Sequence, residues 1–68
     1  MVLVESDAIA EIPYDAETSK LFVRFVRGDW YTYFAVPARE HEAFVAADSH
    51  GRYFQGHIRG SYPFRKGR

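Results

Sequence analysis

KLFVRFVRGDWYTYFAV, residues Lys20 to Val36, is the stretch that decides the fold. Lys20 to Arg27 and Trp30 to Val36 are runs of β-branched and aromatic residues, and Gly28-Asp29 between them makes a tight connection, so the stretch reads as a β-hairpin. Side chains alternate along a strand. Leu21, Val23 and Phe25 therefore part from Phe22, Arg24 and Val26, while Trp30, Thr32 and Phe34 part from Tyr31, Tyr33 and Ala35. A two-residue loop, Arg27-Gly28 or Gly28-Asp29, puts Leu21, Val23 and Phe25 on one face with Trp30, Thr32 and Phe34, which is the expected core face. A three-residue loop would exchange the partners, because a slip of one residue turns every side chain over. With the shorter loop the opposite face carries Phe22, Arg24 and Val26 beside Tyr31 and Tyr33. Large apolar patches are seldom left uncovered, so burial of at least one of these tyrosines is expected.

Ala8 to Tyr14 supplies a third strand, and Asp15 to Ser19 are turn formers. After the hairpin, Pro37 marks a helix start, since its fixed φ and missing N–H suit the first helical position. Within Pro37 to Ala47 the stripe His41, Phe44, Val45 and Asp48 predicts a helix resting on the sheet by Phe44 and Val45, with His41 at the margin. Asp48 or Ser49 caps a shorter helix in which Phe54 and Ile58 are four apart, Gly60 ends it, and Ser61 to Phe64 runs extended around Pro63. The fold class is α+β. It is a small antiparallel β-meander of three strands, with room for a fourth near Tyr62 to Arg65, one helix packed on a face and a short second helical turn.

Sixty-eight residues make one domain, 1–68, near the size where a single core only just suffices. Cysteine is absent, which excludes disulfides and thiolate metal sites; the remaining stabilisers are core quality and oligomerisation. The apolar run Met1 to Val4 stops at Glu5, too short for a signal peptide, and nothing approaches a bilayer span. A soluble cytoplasmic protein with no membrane role is expected.

The absence of net charge conceals a split. Residues 1 to 49 hold nine carboxylates against four Arg or Lys, whereas His50 to Arg68 hold five Arg or Lys and no carboxylate. In that final segment Arg52, Arg59, Arg65, Lys66 and Arg68 alternate with Tyr53, Phe54, Tyr62 and Phe64, a mixture suited to phosphates and base faces. Residues 65–68 read as a flexible basic tail.

Catalysis has little to stand on. His41, His50 and His57 show no HExxH spacing, no serine lies in a G-x-S-x-G setting, and the glycines form neither a P-loop nor a dinucleotide fingerprint. Arg27-Gly28-Asp29 spells an adhesion tripeptide, but a hairpin turn calls for the same residues. No enzyme, metal, cofactor or small-molecule substrate is expected. The chemistry that remains is binding: tyrosines on the sheet stack bases while arginines hold phosphates, each stacked base contributing ~1–3 kcal/mol. The site residues expected are Arg24, Tyr31, Tyr33, Arg52, Arg59, Tyr62, Arg65 and Lys66.

Three ordered blocks, Trp30-Tyr-Thr-Tyr-Phe-Ala-Val-Pro37, Ala47-Asp-Ser-His-Gly-Arg-Tyr-Phe54 and Ile58-Arg-Gly-Ser-Tyr-Pro-Phe64, resemble the KTSC domain family. The family's Y-x-Y element matches Tyr31-Thr32-Tyr33, and its S-x-G-x-Y-F element matches Ser49 to Phe54. The resemblance spans roughly Ser6 to Arg65, departing where Gln55 and His50 stand in place of the family's frequent Asn and Lys. The family also occurs at the C-terminus of some lysyl-tRNA synthetases, so the resemblance implies an association with RNA, and the family carries no established activity. The expected function is a noncatalytic binding module that takes RNA on an aromatic and basic surface. The alternative is protein interaction or self-association, as a homodimer, through the same aromatics.

Overall fold

The computed structural model describes residues 8–68, and the Met1 to Val4 run lies outside them. The central hairpin forms from β3 (Lys20–Phe25) and β4 (Trp30–Tyr33), and its loop sets the register of the whole sheet. The Phe25 carbonyl accepts from the Gly28 N–H at 2.8 Å, and the Phe25 N–H donates to the Asp29 carbonyl at 2.8 Å. Val26, Arg27 and Gly28 therefore form a three-residue loop, with Gly28 at φ +105. The pairs are Leu21 with Tyr33, Phe22 with Thr32, Val23 with Tyr31 and Arg24 with Trp30.

This overturns the two-residue register. A two-residue type I′ turn needs positive φ at two successive positions, and this loop has a single glycine to offer. A type I turn followed by one left-handed residue needs only that glycine. The slip exchanges the partners, so Leu21, Val23 and Phe25 share their face with Tyr31 and Tyr33, while Phe22 and Arg24 share theirs with Trp30 and Thr32.

Two short strands, β1 (Ile9–Glu11) and β2 (Tyr14–Asp15), both pair antiparallel with β3, and the register shifts by one residue within β1, between Ile9 and Glu11. At the other side β5 (Phe64–Lys66) pairs antiparallel with β4 through Tyr33 with Phe64, Thr32 with Arg65 and Tyr31 with Lys66. The sheet thus has five strands in the order β1-β3-β4-β5, with β2 also on β3. The chain is α+β, with more strands than the meander expected from sequence.

Residues 65–68 are not a loose tail. The pairing of β5 continues as the Gly67 N–H donates to the Trp30 carbonyl at 2.7 Å and the Thr32 hydroxyl donates to the Gly67 carbonyl at 2.8 Å. Without β5, the backbone groups of β4 would form an unpaired edge.

Both helical elements lie on the Leu21 face. Helix α1 (Ala38–Ala46) begins after Pro37, whose carbonyl accepts from the Glu40 N–H at 3.0 Å. It buries Phe44, but Val45 points away at 48% exposure, contrary to the expected stripe. Successive helical residues lie about 100° apart, so one short helix seats only one of the two on a flat sheet. The helix margin is held instead by His41, whose ring stacks on Tyr14 at 4.8 Å and whose Nε2 meets the Ile12 carbonyl at 2.9 Å.

The Ser49 hydroxyl caps α2 (His50–Tyr53) by accepting from the Arg52 N–H at 3.2 Å. A π-helical turn (Phe54–Ile58) follows and closes with the Arg59 N–H on the Phe54 carbonyl at 2.8 Å. Phe54 and Ile58, four apart as expected, join Ile9, Leu21, Val23, Tyr33, Val36 and Phe44 in the core.

Candidate nucleic-acid interface

The register that places Leu21 and Val23 in the core leaves a different set on the other side of the sheet. Alternation brings Lys20, Phe22 and Arg24 of β3 to the same face as Trp30 and Thr32 of β4, continued by Phe34 and by Arg65 of β5. The core cluster leaves out Phe22, Trp30 and Phe34, all of which are half-buried. Thr32 is the floor between them, wholly buried, its hydroxyl satisfied by the Gly67 carbonyl.

Cations lie over all three rings. The Arg68 guanidinium is 4.4 Å from the Trp30 ring centre and 5.1 Å from that of Phe22. Phe34 has Arg65 at 5.8 Å and the Lys20 ammonium at 5.9 Å. Arg24, at the far side, forms an ion pair with Glu11 at 2.8 Å. Among the described residues Lys20, Arg65 and Arg68 are in no ion pair, so their charge faces water and ring faces. Ring faces flanked by uncompensated cations offer stacking surfaces and phosphate partners together.

The eight residues expected from sequence do not form one patch. Arg65 is on this outer face, and Arg24 is there but engaged by Glu11. Tyr33 is on the helix side at 3% exposure, with no open ring face for a base. Burial pushes its hydroxyl pKa up, Tyr31 adds to the rise, and the Arg59 charge works against it. Tyr31, Tyr33 and Arg59 meet in a groove between the π turn and the β4–β5 side of the sheet. Lys66 pairs with Tyr31 on that side. Arg52 lines a separate concavity beside Asp48 and His57.

Tyr62 has a structural partner. Its hydroxyl donates to one oxygen of Glu40 at 2.8 Å, and the Tyr53 hydroxyl donates to the other. The Tyr53 hydrogen bond holds the Glu40 carboxyl below its ordinary pKa. Reciprocally, that hydrogen bond pushes the Tyr53 phenol up to about 12.

Sequence reasoning missed Lys20, Phe22, Trp30, Phe34 and Arg68 as site residues. The signal that identifies them is the single glycine at the third loop position, which selects the three-residue turn and brings Trp30 and Phe34 to the outer face. Among the described residues no group of His, Asp or Glu side chains converges as a metal site, and no helix is long and apolar enough to cross a membrane.

Comparison with known proteins places these features in context. The model of the KTSC domain matches residues 5–62. A protein of Tsukamurella paurometabola is 38% identical over 56 residues, covering 82% of this chain and 84% of its relative. One from Stutzerimonas stutzeri is 40% identical over 53 residues, covering 78% and 75%. The crystal structure of a KTSC domain protein from Yersinia pestis superposes with a TM-score of 0.81 at 39% identity, covering 88% of this chain and 84% of that one.

Proposed function

This chain belongs to the KTSC domain family, and we propose that it is a noncatalytic, cytoplasmic RNA-binding module whose outer sheet face takes a single strand. Bases stack on Trp30, Phe22 and Phe34, while Lys20, Arg65 and Arg68 take the phosphates. The observation that carries the reading is the set of cations over three rings, in no ion pair among the described residues and closest where Arg68 lies 4.4 Å from Trp30. A guanidinium on an indole is weakly hydrated and free to swing to a phosphate as a base takes over the ring. Rings and backbone charge recognise no base edge, so the binding tolerates sequence.

Self-association through the open edge of β5 is less favourable. An antiparallel β5–β5 pair sets Arg65 or Lys66 against like charges, the usual guard on a sheet edge.

Trp30 is the chain's single tryptophan, so its fluorescence reports directly on the proposed surface. Titration with a single-stranded RNA oligomer at low salt quenches Trp30 and saturates. An oligomer that binds without changing Trp30 emission, or none binding at all, refutes the assignment.

A further inference from the structure

The groove on the helix side is built from residues the outer face does not use. It encloses about 390 Å³, the scale of a small-ligand site. Its walls are rings: Phe25 meets Phe54 edge to face at 5.6 Å, Tyr33 stacks on Phe64 at 5.4 Å, and Tyr31 lies 5.7 Å from Phe25. Phe64 remains 56% exposed despite these contacts, so ring surface is left for another planar group.

Several polar groups at the groove keep free bonding capacity among the described residues. Tyr14, Tyr53 and Tyr62 donate their hydroxyls to protein acceptors. Those of Tyr31 and Tyr33 have no protein partner among the described residues, yet no buried polar side-chain atom is left unsatisfied. Tyr31 is half-buried and Tyr33 buried, and both line the groove. The Arg59 guanidinium is steadied by the Gln55 side-chain oxygen at 3.1 Å and has no carboxylate partner among the described residues.

We propose that this groove holds one nucleotide, its base against Phe64 and its phosphate on Arg59. Ring walls fit the flat faces of a base. The Gln55 amide and the tyrosine hydroxyls supply donors and acceptors to its edge, and a guanidinium matches phosphate geometry. An aromatic peptide side chain would use the walls and leave those polar groups without partners. For its ligand class the inference rests on the nucleic-acid reading above. Strand β5 links the two sites, since Arg65 faces the outer surface and Lys66 the groove side. A strand crossing that edge meets a cation on each side.

The test titrates the full chain with AMP and with adenosine, followed by backbone amide NMR, beside a single-stranded RNA oligomer. AMP is expected to shift the amides of Phe25, Tyr31, Gln55, Arg59 and Phe64, and adenosine to bind about tenfold more weakly for want of a charge-assisted contact. Arg59→Gln weakens AMP by about tenfold and leaves adenosine unchanged, while Arg39→Gln, which removes an equal charge from α1, changes neither. Arg59 is exposed and contributes nothing to the core, so its variant folds; retained spectral dispersion verifies this. AMP that leaves the groove amides unmoved, or binds Arg59→Gln as it binds the parent, overturns the inference. If RNA still quenches Trp30 in that case, the sheet-face reading stands alone. AMP in the groove of a protein that binds no RNA strand supports the groove and overturns the sheet-face reading.

Discussion

Replacing Glu40 by Gln tests how the walls of the groove are held. One carboxylate joins three parts of the chain: it sits in the first turn of α1, accepts from Tyr53 immediately before the π turn, and accepts from Tyr62 just before β5. Gln keeps one oxygen acceptor and turns the other position into an amide donor. One tyrosine hydroxyl then loses its acceptor and the other loses the assistance of charge. Hydrogen bonds to charged groups contribute ~1.5–3 kcal/mol each. This cluster is partly open to water, which screens it, so a destabilisation of roughly 1–2 kcal/mol is expected. In a domain this small each kcal/mol moves the melting temperature by about 4–8 °C, so Glu40→Gln should melt roughly 5–15 °C lower.

The pH dependence has two flanks. Glu40 has a depressed folded pKa, so its contribution is present above the ordinary 4.5 and is lost as pH falls through the lower folded value. Tyr53 has a raised one, so its contribution is complete below 10.0 and is lost as pH rises from there toward about 12. Tyr62 is raised in the same direction, by burial first and by Glu40 second. Glu40→Gln should flatten both flanks and return the Tyr53 ionisation toward 10.0, readable by ultraviolet absorbance. A variant that melts with the parent at neutral pH, and in which one tyrosine still ionises near 12, would refute the clamp.

Three further substitutions separate other contributions. Three phosphate contacts on a single strand predict a salt slope of about −2, or roughly a twentyfold affinity loss between about 50 and 200 mM salt. Arg68→Gln should reduce that slope by ~0.7. Trp30→Ala should cost ~1–3 kcal/mol of binding with the slope unchanged, and a slope indifferent to Arg68 would remove that residue from the phosphate set. Ala35 has φ 59 and an exposed side chain. Ala35→Gly should therefore raise stability by about 0.5–1 kcal/mol in chemical denaturation, the left-handed penalty less the added chain entropy, and a loss would refute strain there.

The expected elements formed where local chemistry decides them. Gly28, Pro37, Ser49 and Gly60 bracket hairpin, helix and helical turn much as read, because turn geometry, proline φ and capping act within a few residues. The candidate site was legible in kind but not in place. A mixture of rings and cations was evident in composition, yet Tyr33 is in the core and Tyr62 is tied to Glu40. The pairing of β5 with β4 joins residues more than thirty apart, and no periodicity announces it.

By itself, then, the order of residues determined the central hairpin, the helical segments, and that basic and aromatic side chains crowd the final third. Only the tertiary structure decided which face each ring occupies. Strand alternation defines two sets of side chains but not which set turns inward. That choice was made by one loop residue and by the fit of Leu21, Val23 and Tyr33 under Phe44, Phe54 and Ile58.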